Sequence, residues 1–233
     1  LKRTTDEWVA HFAKMPKTQD FEPGTGWNYS NTAYFILGGV IEKAEKKPLA
    51  NVLQERFFGP LGLTHTALDD ESVILPGYDG TGPNQFKNAA FISMTVPGAA
   101  GAMRSSANDL ARWNAALFGG KVLKPASFKA MITPGKLNNG QNSTTAVKDR
   151  PADMPPFEYG YALFMGDVDG HQRIGHGGGI FGFNTSLNEF PKDRLTVSVI
   201  ANSIGKDVGA GIGSPVAPYH VEIRHRSACR DVA

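Results

Sequence analysis

A phenol, a hydroxyl and an amide follow one another in the triplet Tyr29-Ser30-Asn31. Held together at the mouth of a helix, such side chains can act as a proton-transfer set. A phenol has an ordinary pKa of about 10, so it works as a base at neutral pH only where nearby cations stabilise the phenolate. The triplet therefore predicts acid–base chemistry that depends on a positively charged partner.

The surrounding sequence places this triplet between a turn and a helix. Residues 23–26, Pro-Gly-Thr-Gly, are typical of a turn. Residues 29–46 predict a helix, because their apolar side chains recur on one face: Ala33, Leu37, Val40, Ile41 and Ala44. Tyr29 is then expected at the start of the helix, where its side chain can face a cleft instead of the core. Asn31 could also be an ordinary helix cap, and Ser30 is interpreted as a spacer or cap.

A histidine followed by three glycines is the second candidate for chemistry. His176 precedes Gly177, Gly178 and Gly179. A lone histidine in a strand is usually structural, but consecutive glycines leave a strand without side chains, so that a ligand can lie along it. Histidine titrates near about pH 6.5 and can be charged or neutral under physiological conditions. The run is interpreted as a ligand-binding strand that begins with a titratable group.

Three blocks, in this order along the chain, resemble one family. They are residues 23–42 (PGTGWNYSNTAYFILGGVIE), 58–66 (FGPLGLTHT) and 175–183 (GHGGGIFGF). Together they closely resemble the serine β-lactamase/D,D-peptidase superfamily, in the branch that holds class C β-lactamases, D-amino-acid peptidases and β-lactamase-like esterases. The resemblance runs from about residue 4 to about residue 202. It implies an α+β fold in which an antiparallel sheet, built as a C-terminal meander, is packed with helices.

The resemblance also implies roles for single residues. Tyr29 resembles the general base that activates a serine and later protonates the leaving group, and Asn31 resembles the amide that orients the acyl side chain. His176 stands where many relatives carry the lysine of a Lys-Thr-Gly motif. It would keep a partly cationic group opposite the tyrosine, and it favours an esterase or D-amino-acid peptidase over a dedicated β-lactamase. The Gly179 amide resembles half of an oxyanion hole. The implied substrate contacts are Trp27, Gly177 and Gly178.

The family's nucleophile motif, Ser-x-x-Lys, has no counterpart before Tyr29, since residues 1–28 contain no serine. Ser203 and Lys206 fit the pattern literally, but they follow an apolar strand and enclose a glycine where a helix is needed. We interpret them as part of a solvated loop. Thr145 and Lys148 are a similar coincidence. We expect an N-terminally incomplete member of the family, either a fragment, a truncated gene product or a chain whose nucleophile comes from another polypeptide.

Composition excludes several other classes of protein. A hydrophobic content of 41% with 20% charged residues is that of an ordinary globular protein, and a net charge of +2 gives no case for nucleic acid. No apolar run approaches the roughly 20 residues that span a bilayer. Cys229 is the single cysteine, and His220 and His225 have a metal-like spacing but lie in a polar tail. With no phosphate-binding or dinucleotide fingerprint either, we predict no metal and no cofactor.

The wider pattern predicts helices first and strands last. A capping box at residues 4–7 precedes a helix with Trp8, Phe12 and Met15 on one face, and further helices are expected from Pro48 and Ser106. Long loops are expected at 76–101 and 134–156. Strands are predicted at 159–165, 172–176, 182–189 and 195–201, with a hairpin turn at Asp169-Gly170. We divide the chain into a mainly helical part (1–156), a sheet part (157–202) and an irregular tail (203–233).

The sequence thus predicts a serine acyl hydrolase that acts through an acyl-enzyme on a small-molecule ester, amide or β-lactam. The alternative is a catalytically inactive homologue that binds acyl or peptidoglycan-like ligands. A chain that lacks sheet strands and a central helix should expose apolar surface, so we expect self-association or a complementing N-terminal segment. Relatives are commonly exported, but the sequence itself predicts no localisation.

Overall fold

Helices precede an antiparallel sheet in this α+β fold, which is known from a computed structural model describing residues 3–68, 75–82, 84–147 and 157–204. The α-helices are α1 (Thr5–Phe12), α2 (Asn31–Glu45), α3 (Leu49–Leu53), α4 (Ala107–Phe118) and α5 (Pro125–Met131). A π-helical turn, Gln54–Phe58, continues α3. The strands are β1 (Ala67–Leu68), β2 (Tyr78–Gly82), β3 (Gln85–Asn88), β4 (Met103–Arg104), β5 (Glu158–Tyr159), β6 (Phe164–Val168), β7 (His171–Ile180), β8 (Phe183–Phe190), β9 (Leu195–Ala201) and β10 (Ser203–Ile204).

The main sheet is the predicted meander, with β5, β6, β7, β8 and β9 paired antiparallel in that order. The hairpin turn between β6 and β7 is confirmed at Asp169 and Gly170, which both have positive φ values of 52° and 86°. The single strand predicted at 159–165 is wrong. A tight turn divides it, in which the Gly160 amide donates to the Leu163 carbonyl, and Ala162 lies at φ 57°. A continuous apolar run, Tyr161–Met165, hides this turn, which contains Gly160 but no Pro, Asn or Asp.

Strand β7 extends beyond its neighbour β6, which leaves one edge open. Pairing between the two strands stops where Phe164 faces Gly175. The rest of β7, from His176 to Ile180, pairs with β8 on its other side. Among the described residues, no strand covers the opposite edge of this stretch, which contains the three consecutive glycines.

The helical half follows its sequence signals at the helix starts. The predicted capping box is present at α1, where Thr4 and Glu7 exchange hydrogen bonds. Ser30 is the N-cap of α2, since its hydroxyl accepts from the Ala33 amide at 3.1 Å. The helix therefore begins at Asn31, two residues later than predicted. Met15 lies beyond the end of α1 and is exposed, so its predicted place on the helix face is wrong.

The apolar face predicted for α2 is present but exposed. The buried positions of this helix are Phe35, Gly38 and Gly39, and a Cβ on Gly38 would lie 2.3 Å from the Ala99 side chain. We call the exposed face the α2 stripe: Ala33, Ile36, Leu37, Val40, Ile41 and Ala44. A periodic pattern shows that a face is suited to burial, but it does not say which element covers it.

Two buried carboxylates hold helix α4 in place. Glu189 on β8 accepts from Asn114 at 2.9 Å and from the Thr196 hydroxyl at 2.5 Å, which pins the helix to the sheet. Asp109, on the first turn of α4, accepts from the His65 amide at 2.7 Å and the Thr66 hydroxyl at 3.0 Å. The second of the three sequence blocks is thereby tied to the helix that packs on the sheet.

The loop predicted at 76–101 contains the β2–β3 hairpin, and β10 adds to it in parallel with Ser203 opposite Tyr78. The interpretation of Ser203 as a loop residue is therefore wrong, because its backbone belongs to a short strand.

Several predicted features lie outside the described residues: Lys148, Lys206, His220, His225 and Cys229. The division into three parts stays a prediction. No helix in the described ranges is long and apolar enough to cross a membrane, and no cluster of three or more possible metal ligands occurs in them.

Candidate active site

The start of helix α2 and the open end of strand β7 bring Tyr29 and His176 together. Their ring centroids are 5.9 Å apart, and the ring planes are inclined by 37°. Tyr29 is 43% exposed, so its phenol borders solvent. The fold thus joins two candidate residues that are 147 positions apart in sequence, as the resemblance implied.

His176 is held at both ring nitrogens. Its Nδ1 lies 2.5 Å from the Gly177 carbonyl oxygen, and its Nε2 lies 3.3 Å from the Tyr159 hydroxyl. A carbonyl can only accept, so Nδ1 carries the hydrogen, and Nε2 of the neutral ring accepts from Tyr159. Burial lowers the pKa of His176 below its ordinary value. The partly cationic group expected at this position is therefore an uncharged imidazole near neutral pH.

Tyr29 is a neutral phenol in this environment. Burial raises the pKa of Tyr29 above its ordinary value, and it has the same effect on the neighbouring Tyr34. A neutral His176 cannot offset this effect, because only a positive charge nearby would stabilise the phenolate. The described residues place a tyrosine where a general base is expected, but they do not lower its pKa.

The open edge of β7 points backbone groups into the cleft. The Gly178 carbonyl accepts from the Thr185 hydroxyl and so faces strand β8, although the 3.4 Å distance is long. Successive residues of an antiparallel strand direct their peptide groups to opposite edges. Gly177 and Gly179 therefore face the open edge, as the bond from His176 to the Gly177 carbonyl also requires. Since no strand of the described residues pairs with this edge, the Gly179 N–H can donate to a ligand that lies along it.

Gly178 and Gly179 differ in the space that surrounding atoms leave for a side chain. A Cβ on Gly178 would lie 2.9 Å from the Thr185 hydroxyl, whereas a Cβ on Gly179 would have no atom within 4 Å. Both have ordinary φ angles. Packing among the described residues therefore does not require glycine at position 179. Close approach of a ligand to the strand is one reason for a residue without a side chain there.

Trp27 packs against two other aromatic rings. Its ring contacts Phe157 and Tyr159 edge-on, at centroid distances of 5.4 and 5.3 Å. Its amide donates to the Ala146 carbonyl at 2.9 Å. Trp27 thus contacts Tyr159, whose hydroxyl reaches His176, and its predicted role as a substrate contact stays a prediction.

Asn31 follows Tyr29 closely in the chain, but the structure does not join it to the other candidates. It is the exposed first residue of α2. Within the described part of the chain, no hydrogen bond links it to Tyr29 or His176, and none links a serine hydroxyl to either of them. The proposed serine nucleophile is therefore not seen among these residues.

The sequence analysis did not identify Tyr159 as a residue of the site. Its side chain is 7% exposed, and its hydroxyl reaches His176. Burial raises the pKa of Tyr159 far above its ordinary value, so its hydroxyl stays protonated. The strand order β5-β6-β7 could have indicated this contact, but only with the turn at 160–163 correctly assigned.

Comparison with known proteins gives a consistent set of matches. A family model described as Beta-lactamase matches residues 2–213. A D-aminopeptidase of Gluconobacter oxydans (strain 621H) is 22% identical over 213 residues, which cover 87% of this chain and 38% of that protein. The chain therefore spans less than half the length of this curated relative.

Solved structures agree on the fold. A D-stereospecific amidohydrolase from Streptomyces sp. superposes with a TM-score of 0.69 at 26% identity, covering 87% of this chain and 57% of the other. A D-amino acid amidase from Ochrobactrum anthropi SV3 gives a TM-score of 0.71 at 23% identity, covering 89% and 58%. The likeness confirms the α+β architecture predicted from the sequence.

Proposed function

The chain belongs to the beta-lactamase family, and on that premise we propose that it supplies the general base and the oxyanion strand of a serine acyl hydrolase. The observation that carries the proposal is the meeting of Tyr29 with His176 beside the open Gly179 edge. A phenol and a backbone donor on two sides of one cleft are what acyl transfer needs around a reacting carbonyl.

In this reaction a serine oxygen attacks the acyl carbonyl, and its proton passes to the Tyr29 phenolate. The charge that develops on the carbonyl oxygen is stabilised by the Gly179 N–H. Tyr29 then returns the proton to the departing amine or alcohol as the bond to the acyl carbon breaks. Water repeats the sequence on the acyl-enzyme and releases the acid. The serine and the cation that lowers the pKa of Tyr29 both come from a segment outside the described residues.

We infer that the substrates are amides or esters in preference to β-lactams. A neutral His176 gives no fixed positive charge for the carboxylate that β-lactam antibiotics carry. The names of similar proteins support amide substrates, since these proteins are a D-aminopeptidase, a D-stereospecific amidohydrolase and a D-amino acid amidase. Small amides, peptides or esters of D-amino acids are the substrates we propose.

The α2 stripe supports a complementing segment. It begins one turn after Tyr29 and runs to Ala44, about 16 Å along the helix. Leu37 and Val40 are 51% and 55% exposed, which is unusual for adjacent apolar residues on one helical face. The partner we propose is an apolar helix that begins with the Ser-x-x-Lys motif. Packed on the stripe, it would bring serine and lysine to the Tyr29 end.

A catalytically inactive, ligand-binding homologue is the second candidate. It is favoured by the raised pKa of Tyr29, since a phenol that stays protonated cannot act as a base. Such a protein would keep the cleft and the open Gly179 edge, and it would bind acyl amides without turnover.

Labelling with a fluorophosphonate probe, followed by intact mass and peptide mapping, separates these candidates. We expect no adduct on the chain alone and a stoichiometric adduct on the upstream serine when the upstream reading frame is included. Tyr29→Phe in the longer protein should slow labelling at least 100-fold, in line with loss of a general base, while Tyr161→Phe should not slow it.

Two outcomes would contradict the proposal. An adduct on Ser203 of the chain alone would place the nucleophile within these residues. Binding of a D-amino acid amide by the longer protein, without any adduct or hydrolysis, would establish the inactive binder instead.

A further inference from the structure

The hydroxyl of Tyr159 makes a contact that the family resemblance does not explain. It lies 3.3 Å from Nε2 of His176, and the Tyr159 side chain is almost completely buried. The ring also packs edge-on against His176, with centroids 6.1 Å apart. Phenylalanine would serve equally well for the packing, as it does at Phe164, which lies 5.0 Å from the same imidazole. The hydroxyl therefore needs a separate explanation.

The two hydrogen bonds of His176 together determine its state. The Gly177 carbonyl requires a hydrogen on Nδ1, and a neutral ring then offers a lone pair at Nε2. Tyr159 keeps its hydrogen, so its O–H can donate to that lone pair. With both nitrogens occupied, the ring has no free site at which to accept a proton from Tyr29, and it cannot rotate without losing both bonds.

We propose that Tyr159 is the positioning residue of His176, holding it as a fixed, uncharged Nδ1–H imidazole that faces Tyr29 and takes no proton during the reaction. The site then has one base, Tyr29, and His176 acts as an oriented dipole beside it. The catalytic consequence rests on the proposed function, whereas the state of the imidazole does not.

Nitrogen NMR of the isotope-labelled chain tests the state of the imidazole without any need for activity. The His176 signals are assigned with His176→Gln. We expect hydrogen on Nδ1 and an Nε2 resonance shifted by an accepted hydrogen bond. In Tyr159→Phe the Nε2 resonance should move toward that of a free, unprotonated nitrogen, and in Tyr161→Phe, whose ring is exposed on the same segment, it should not move.

An Nε2–H tautomer in the unmodified chain would overturn the proposal, whether or not the Phe variant folds. An Nε2 resonance that is the same in the chain and in Tyr159→Phe would overturn it too. Neither result would contradict the proposed acyl-transfer reaction. The proposal for His176 and the proposed function can therefore fail separately.

A double-mutant cycle tests the catalytic consequence in the longer protein. Tyr159→Phe should lower kcat/KM roughly three- to tenfold, the size expected for an orienting hydrogen bond. In a His176→Ala background the same change should have almost no further effect. Equal losses in both backgrounds would indicate a packing role for Tyr159 and would contradict the positioning role.

Discussion

At the scale of single residues, burial decides how His176 behaves. An imidazole stripped of solvent is harder to protonate, so the folded protein binds a proton there less readily than the unfolded chain does. Lysine at the same position would keep its charge more readily, because its ordinary pKa is about four units higher. A histidine held by Tyr159 and Gly177 therefore changes the electrostatics of the cleft, although it preserves a hydrogen-bonding group.

This burial predicts a pH dependence of stability. The folded-state pKa of His176 lies below its unfolded value of about 6.5, so below that pH the unfolded chain binds a proton that the folded chain does not. The free energy of unfolding should therefore fall as the pH drops from about 6.5 toward the folded-state pKa. Urea unfolding at about pH 7.5 and 5.5 should show a smaller loss for His176→Gln than for the unmodified chain.

His171→Gln is the matched control for this measurement. His171 is hydrogen-bonded to Asp193 at 2.8 Å, far along β7 from the cleft. In His171→Gln the loss of stability on acidification that we attribute to His176 should remain. If His176→Gln lost as much stability on acidification as the unmodified chain, the buried neutral histidine would not be its source.

At the scale of elements, the turn between β5 and β6 contains a residue in an unfavourable local conformation. Ala162 adopts φ 57°, a left-handed conformation that costs a residue with a Cβ about 1–2 kcal/mol. Glycine removes this cost, but it gives the unfolded chain more conformational entropy, which lowers the free energy of unfolding by about 0.5–1 kcal/mol. We expect Ala162→Gly to stabilise the protein by about 0.5–1 kcal/mol, measured by urea unfolding.

The same substitution in a helix should have the opposite sign. Ala115 lies on the exposed side of α4, where glycine costs about 1 kcal/mol. Ala115→Gly should therefore destabilise the chain in the same experiment. Destabilisation by both substitutions would show that Ala162 does not adopt the left-handed conformation in solution.

This turn also shows how far the sequence could predict the elements. Strong local signals were sufficient for the Asp169-Gly170 hairpin and the bounds of β9. The turn at 160–163 has only the weak signal of Gly160 before an apolar run. The strand at Ser203 pairs with β2, which is far away in sequence. The contact of Tyr159 with His176 depends on both the turn and the strand order, so the local sequence could not reveal it.

At the scale of the whole molecule, the α2 stripe shows what periodicity can and cannot predict. The pattern correctly identified an apolar helical face, but it did not say which element covers that face. The described residues bury Phe35 on the other side of the helix and leave Leu37 and Val40 in solvent. This exposed apolar face next to a candidate catalytic residue is the observation behind the complementing segment that we propose.

The exposed stripe predicts that the chain on its own self-associates through α2. Burying two half-exposed aliphatic side chains contributes about 2 kcal/mol, so Leu37→Lys with Val40→Lys should weaken association roughly thirtyfold. Sedimentation velocity over a range of concentrations measures this. Phe86→Lys with Phe91→Lys, which changes exposed aromatics elsewhere, should weaken it much less. In the protein extended by the upstream reading frame, the stripe should be covered and this concentration dependence lost. A chain that stays monomeric, or equal effects of the two lysine pairs, would show that the stripe is not the contact surface.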